Sequence, residues 1–233
     1  MYQHTKKLIF TNIFLLIFSL SLYAQNDRTY IRECIQDWGE CRNVAITKDN
    51  GNLALYGRNG WVGSGIPSEL SKEMNRLNDE GEYISDIQLT EDGRWLIIYG
   101  DNGFCWDGIP DNDRLLSILK EANEQREIIT AVSFNDYGDW IIVTDQHCWA
   151  SDDDLTDWLR EGISKFGQLW AVCIADTDGI VAVHKDGYRY LGDVPQALED
   201  ALSKTELEVY RVKFCGDDSW FFADKDGNFQ GFM

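Results

Sequence analysis

Histidine is scarce in this chain: three residues in 233, and only His147 and His184 lie beyond the N-terminal apolar stretch. With so few histidines and no closely spaced cysteine pair, a zinc site has no ligand set. A serine triad would have to use one of those two imidazoles, and no Gly-x-Ser-x-Gly elbow is present to supply its nucleophile. Positive charge is scarce as well. Lysine and arginine total 21 against 40 acids, a formal net charge of −19. A surface that acidic repels phosphate backbones and anionic lipid, which both need Lys/Arg to neutralise them, so nucleic acid and membrane surface are excluded as partners. The charge itself reads as solubility outside the cell.

Long apolar runs are absent except at the start. Lys6 and Lys7 precede an apolar stretch from Leu8 to Leu22, interrupted by Thr11, Asn12 and two serines, and Ala24 offers a small residue at a cleavage site. The uninterrupted apolar part is short for a membrane span of roughly 20 residues. Polar Gln25-Asn26-Asp27-Arg28 follows at once, and no cysteine stands there for a lipid anchor. Residues 1–24 therefore read as a signal peptide and residues 25–233 as one exported domain, periplasmic, cell-surface or extracellular, with no membrane insertion after cleavage.

What the chain has in abundance is repetition. Five segments begin Val44-Ala45-Ile46, Ile87-Gln88-Leu89, Val132-Ser133-Phe134, Val172-Cys173-Ile174 and Val212-Lys213-Phe214, with starts 43, 45, 40 and 40 residues apart. Each alternates an apolar residue with another, the pattern of a half-buried strand. Turns rich in Asp, Asn and Gly follow, such as Asp49-Asn50-Gly51 and Glu91-Asp92-Gly93. A second apolar run comes next (Trp95–Tyr99 and Trp140–Val143 are examples), then a second tight turn and a short third strand. The three prolines, Pro67, Pro110 and Pro195, all fall just after a third strand, where proline suits the first helical position. In the remaining copy Ser151-Asp152-Asp153 supplies side-chain caps instead. Apolar residues three and four apart then follow, including Leu70, Met74 and Leu77, or Leu155, Trp158, Leu159 and Ile163.

The fold class expected is an α+β repeat: a five-unit βββα propeller-like ring. The last copy ends at its third strand, while residues after Asn26-Asp27 carry helical spacing at Tyr30, Ile31, Cys34 and Trp38. That N-terminal helix would complete the last unit and hide the sheet edges of a closed ring. A solenoid of five units is the alternative. The Trp-x-x-x-Tyr-Gly-x-Asn-Gly…Gly-Ile-Pro core, fullest from Trp95 to Pro110, resembles repeats of uncharacterised bacterial exported proteins. The architecture is similar to the α/β-propellers of the pentein superfamily, whose unit is a circular permutation of this one.

The pentein likeness implies one enzymatic alternative, a hydrolase or deiminase acting on a guanidino compound. His184-Lys185-Asp186 resembles the His-x-Asp/Glu element of deiminases, and Cys215 would be the thiolate nucleophile. Asp186 is also the ordinary turn acid of its repeat, equivalent to Asn59, Asn102 and Asp226, so no catalytic residue is assigned. Asp176–Gly179 and Asp224–Asn228 look like the opening of a calcium loop but lack its later glutamate and fall at hairpin turns; no metal ligand or cofactor is assigned. Cys34 and Cys41 could pair between helix and strand, and Cys105 and Cys148 across units, or all could be free thiols. The ligand-binding candidates are Trp61, Trp106, Asp107, Trp149 and Tyr190, in or after the third strands. They would form an aromatic rim for a glycan or peptide, with packing of strand on helix as the structural reading of the same rings. The functional expectation is a non-enzymatic exported binding or interaction module for an unknown glycan, peptide or envelope protein. The repeats are expected to account for most of the unusual residues.

Overall fold

A computed structural model describes residues 28–48, 51–216 and 218–232. The signal-peptide reading of residues 1–24 and the turn at Asp49-Asn50 lie outside the described residues. Five three-stranded antiparallel meanders follow one another along the chain. They are β1 (Asn43–Ile46), β2 (Asn52–Tyr56) and β3 (Gly60–Ser64); β4 (Ile84–Leu89), β5 (Trp95–Tyr99) and β6 (Gly103–Asp107); β7 (Ile129–Phe134), β8 (Trp140–Thr144) and β9 (Cys148–Ala150); β10 (Leu169–Ile174), β11 (Ile180–His184) and β12 (Gly187–Leu191); β13 (Arg211–Phe214), β14 (Trp220–Ala223) and β15 (Phe229–Phe232). Helix α1 is described over residues 28–38. Helices α2 (Ser68–Glu80), α3 (Arg114–Gln125), α4 (Asp153–Phe166) and α5 (Gln196–Lys204) join successive sheets.

Each sheet has its first strand at one edge and its third at the other. First strands touch one another in sequence, β1 with β4, β4 with β7, β7 with β10 and β10 with β13; β1 also touches β13. Helices fill the space between consecutive sheets. On α2, Leu70, Met74 and Leu77 pack with Leu53 and Leu55 of the first sheet and Ile87 and Ile97 of the second. Burying each such side chain contributes about 1.5–3 kcal/mol. On α1, Ile31 and Ile35 pack in the same way against Phe221 and Ala223 of the fifth sheet and Val44 and Ile46 of the first. The α1 stripe differs from the expected one: Ile35 is buried, whereas Tyr30 is 49% exposed.

Two of the three prolines are N-caps rather than first helical residues. Pro67 and Pro195 occupy the N-cap positions of α2 and α5. In the second unit the helix starts later, and Asp113, not Pro110, caps α3 by accepting from Leu115 N. Asp152 caps α4 by accepting from Leu155 N. Ile163 of α4 is turned outward; Gly162 is buried instead, where a Cβ would lie 2.6 Å from His184 Nε2.

The Tyr-Gly-x-Asn-Gly motif is a docking device for the hairpin. Gly57 and Gly100 take positive φ (53° and 59°), a conformation natural to glycine. At Gly60 and Gly103 the ring of Tyr56 or Tyr99 lies where a Cβ would stand. The asparagine then pairs reciprocally with one on the following helix: Asn59 Nδ2 donates to Asn78 O (3.0 Å) and Asn78 Nδ2 to Asn59 O (2.9 Å). Asn102 and Asn123 repeat this at 3.3 and 3.0 Å.

Candidate functional site

The period-2 pattern of the first strands suggests one apolar face and one wet face. Both faces are buried. Equivalent positions follow from the strand pairing, since Ile46, Leu89, Phe134, Ile174 and Phe214 each oppose the first residue of their second strand. One residue earlier stand Ala45, Gln88, Ser133, Cys173 and Lys213; three residues earlier stand Asn43, Asp86, Ala131, Ala171 and Arg211. These ten residues are at most 8% exposed. The repeat is regular at the apolar positions between them and irregular here, so these positions carry chemistry that the repeat itself does not require.

Asp86 is the hub. Its Oδ1 accepts from Lys213 Nζ at 2.7 Å, from Asn43 Nδ2 at 2.8 Å and from its own strand at Ile87 N, 2.8 Å; Oδ2 accepts from Val132 N at 3.2 Å. Four sheets thus meet on one carboxylate. Burial would raise its pKa, but Lys213, Arg211 and the hydrogen bonds outweigh that, and it lies below the ordinary aspartate value. Lys213 also donates to Ile87 O at 3.0 Å. Arg211 donates to Ser85 O and Arg42 to Ile84 O, so buried guanidiniums are satisfied by strand-end carbonyls. Ser133 Oγ accepts from Ile174 N at 2.9 Å, and Cys173 Sγ accepts from Phe214 N at 3.3 Å. Asn43, Asp86, Ser133, Cys173, Arg211 and Lys213 on this face therefore each tie their sheet to another.

Beyond this polar floor, the C-terminal ends of all five first strands surround a cavity of about 330 Å³. Val44, Ile46, Ile87, Leu89, Phe134, Ile174 and Phe214 contribute apolar wall; Gln88, Cys173 and Lys213 contribute its deeper polar part; Lys48, Glu91, Asp136, Tyr137, Asp176 and Thr177 form the mouth. Gln88 is 8% exposed, and its Nε2 has no hydrogen-bond partner. A buried amide left so costs about 1–3 kcal/mol, and Gln88 is one of the residues that line the cavity. At the mouth Asp136 pairs with Arg94 at 3.0 Å. Asp176 forms no ion pair among the described residues. Partial desolvation, then the carboxylates of Asp136 and Glu91, raise its pKa above the ordinary aspartate value.

The expected aromatic rim is distributed over four outer strands. Trp61 lies on β3, Trp106 on β6, Trp149 on β9 and Tyr190 on β12. All four rings are half-buried and packed on core clusters, Trp61 on the Leu70–Met74 cluster, Trp106 and Trp149 on the Leu115–Leu119 cluster, Tyr190 on the Val181–Leu198 cluster. Asp107 is exposed at the end of β6. None of the five lines the cavity.

The residues of the enzymatic alternative are each occupied elsewhere. Cys215 is 0% exposed among Ile31, Cys41 and Phe221, and burial drives its thiol far above the ordinary range. His184 packs beside Phe166, with Nδ1 on Gly167 O at 3.2 Å and burial depressing its pKa. All six cysteines are free thiols; burial pushes those of Cys41 and Cys105 up to about 12. In the Asp224 turn the carboxylate accepts from Asp226 N, Asn228 N and Asn228 Nδ2. Among the described residues no group of three or more His, Cys, Asp or Glu could hold a metal, and no helix is long and apolar enough to cross a membrane. Sequence reading missed Gln88, Asp86 and Lys213, although the signal was present: polar residues at strand positions where other copies carry alanine.

No family model matches the chain, and no curated protein sequence does. Among solved structures, one titled "YCF48 bound to D1 peptide" is similar over 80% of this chain at 12% identity, with a TM-score of 0.29. The chain spans 49% of that structure's length, about half.

Proposed function

We propose that the chain is an exported, non-catalytic binding protein whose five units close into a ring, with the ligand held in the cavity where the first strands converge. Closure is supported by the contact between β1 and β13 and by Cys41 N donating to Gly227 O at 2.9 Å, which ties the chain before the first sheet to the last hairpin. Export rests on the N-terminal sequence. The observation that carries the binding reading is the buried, unpartnered Gln88 amide in a cavity walled by all five sheets. A binding role fits the chemistry better than catalysis, because the deep polar groups, Lys213, Asp86 and the Cys173 thiol, are consumed in holding sheets together.

Thermal unfolding against a panel of amino acids, peptides, glycans, polyamines and guanidino compounds tests this, since a ligand of the folded state raises the midpoint by mass action. Gln88→Met is the control. Replacing an orphan buried amide by an apolar side chain of similar length should stabilise the free protein by about 1 kcal/mol, roughly 2–4 °C at this size. The same variant should lose the ligand-induced shift. A ligand shift that survives Gln88→Met would place binding elsewhere, the aromatic strands first among the alternatives.

A further inference from the structure

At the end of the first strands opposite the cavity, two aromatic rings break a rule that the repeat keeps elsewhere. Strands β4, β7 and β10 each carry a bulged residue, Ser85, Thr130 and Trp170, where the register with the second strand shifts. Ser85 Oγ donates to Ile98 O and Thr130 Oγ1 to Val143 O, both at 3.2 Å, so a small hydroxyl closes the bulge onto its own sheet. Trp170 has no such hydroxyl. It stands instead against Tyr210, the residue before β13 of the next unit, with ring centroids 6.1 Å apart and planes at 51°. Neither ring is fully buried, and neither lines the first-strand cavity.

The pair already holds a cation. Lys225, from the turn between β14 and β15, places Nζ over both rings, 4.5 Å from the Tyr210 centroid and 5.3 Å from that of Trp170. Arg114, Lys120 and Arg189 each cover one ring; Lys225 covers two. It is exposed and forms no ion pair among the described residues, although Asp224 and Asp226 flank it. Cation–π contacts are weak at exposed sites, so this lysine is displaceable. We propose that Trp170 and Tyr210 form a binding site for a quaternary ammonium group, which Lys225 occupies in the free protein. A primary ammonium over a ring forgoes hydrogen bonds from its N–H donors, whereas a trimethylammonium group has none to lose. Arg211 also covers Tyr210, at 4.7 Å, so Trp170, of the ring type that attracts cations best, carries the recognition.

Calorimetric titration with choline, together with the indole N–H resonance of Trp170, tests the site. Choline is expected to bind and to shift that resonance. Its uncharged analogue, with carbon in place of nitrogen, should bind about tenfold more weakly, the loss of the cation's attraction to the rings. Lys225→Ala removes the internal competitor and should tighten choline binding by about tenfold, because apparent affinity scales with the fraction of open sites. Lys225 is exposed, so this variant should fold even if Trp170→Leu does not. Trp170→Leu should abolish binding. Choline binding in solution would identify a free solute as the ligand; Lys225→Ala protein that ignores choline but sediments with phosphatidylcholine vesicles, in a manner lost with Trp170→Leu, would identify a lipid headgroup. The proposal is overturned if Lys225→Ala responds to neither choline nor vesicles, or binds choline no more tightly than the parent protein. Equal affinity for the uncharged analogue, or binding that survives Trp170→Leu, would overturn it too.

Discussion

Lys213 and Asp86 show at the scale of single residues why a buried ion pair can be indispensable without being intrinsically favourable. Desolvating both charges offsets most of their attraction, yet removing one leaves the other buried and unpaired. Lys213→Met is therefore expected to destabilise by about 3–5 kcal/mol, read from denaturant midpoints. Adding Asp86→Leu to it should recover part of that loss, and a double variant worse than Lys213→Met alone would contradict this account.

Two buried groups, His184 and Asp86, set the titration of stability. Burial lowers the His184 pKa from its ordinary 6.5, so below pH 6.5 the unfolded chain binds more protons than the folded one. That contribution to stability is complete above 6.5 and declines as pH falls toward the lower folded value. Asp86 adds a second decline: its folded pKa lies below the ordinary 3.8, so its contribution is full above 3.8 and is lost as pH falls further. Unfolding free energy measured between pH 8 and pH 3 should fall in those two stages, and His184→Gln should flatten the upper one.

Helix starts illustrate the element scale. Two different solutions cap four helices: a proline at the N-cap of α2 and α5, and an aspartate on α3 (Asp113) and α4 (Asp152). Only the aspartates accept from a backbone N–H, so Asp113→Ala and Asp152→Ala should each cost about 1 kcal/mol. Most of this level could be read from sequence. Strand pairs, hairpin turns and the Asp152 cap are local, and local chemistry is periodic. Pro110 misled because the distance from a proline to the first helical turn depends on how the intervening residues pack, and here Asp113 completes the turn. Ile163 misled for a related reason: the α4 face is set by the approach of His184, which admits only Gly162.

On the scale of the whole molecule, α1 occupies between the fifth and first sheets the place that α2 occupies between the first and second. A first helix packed on the last sheet in this way favours circular permutation. A permutant that links residue 232 to residue 28 and opens between β3 and α2 should fold with the same circular-dichroism spectrum and the same elution volume as the parent protein. A permutant that aggregates, or exposes apolar surface to a dye, would argue for an open array whose ends need their own caps.

Sequence alone determined the five meanders, their helices and the acidic surface, because these rest on spacing of two and 3.6 residues, on turn chemistry and on charge. It even placed the N-terminal helix with the last unit. The aromatic residues at Trp61, Trp106, Trp149 and Tyr190 also stood out, since they repeat. Tertiary structure alone decided the cavity. Gln88, Asp86 and Lys213 occupy strand positions that alternate as solvent-facing residues do, and they become buried only when five first strands converge. Asp86 and Lys213 meet at 2.7 Å from strands 127 residues apart. No local pattern records that meeting, because it is made by the packing of sheets against one another.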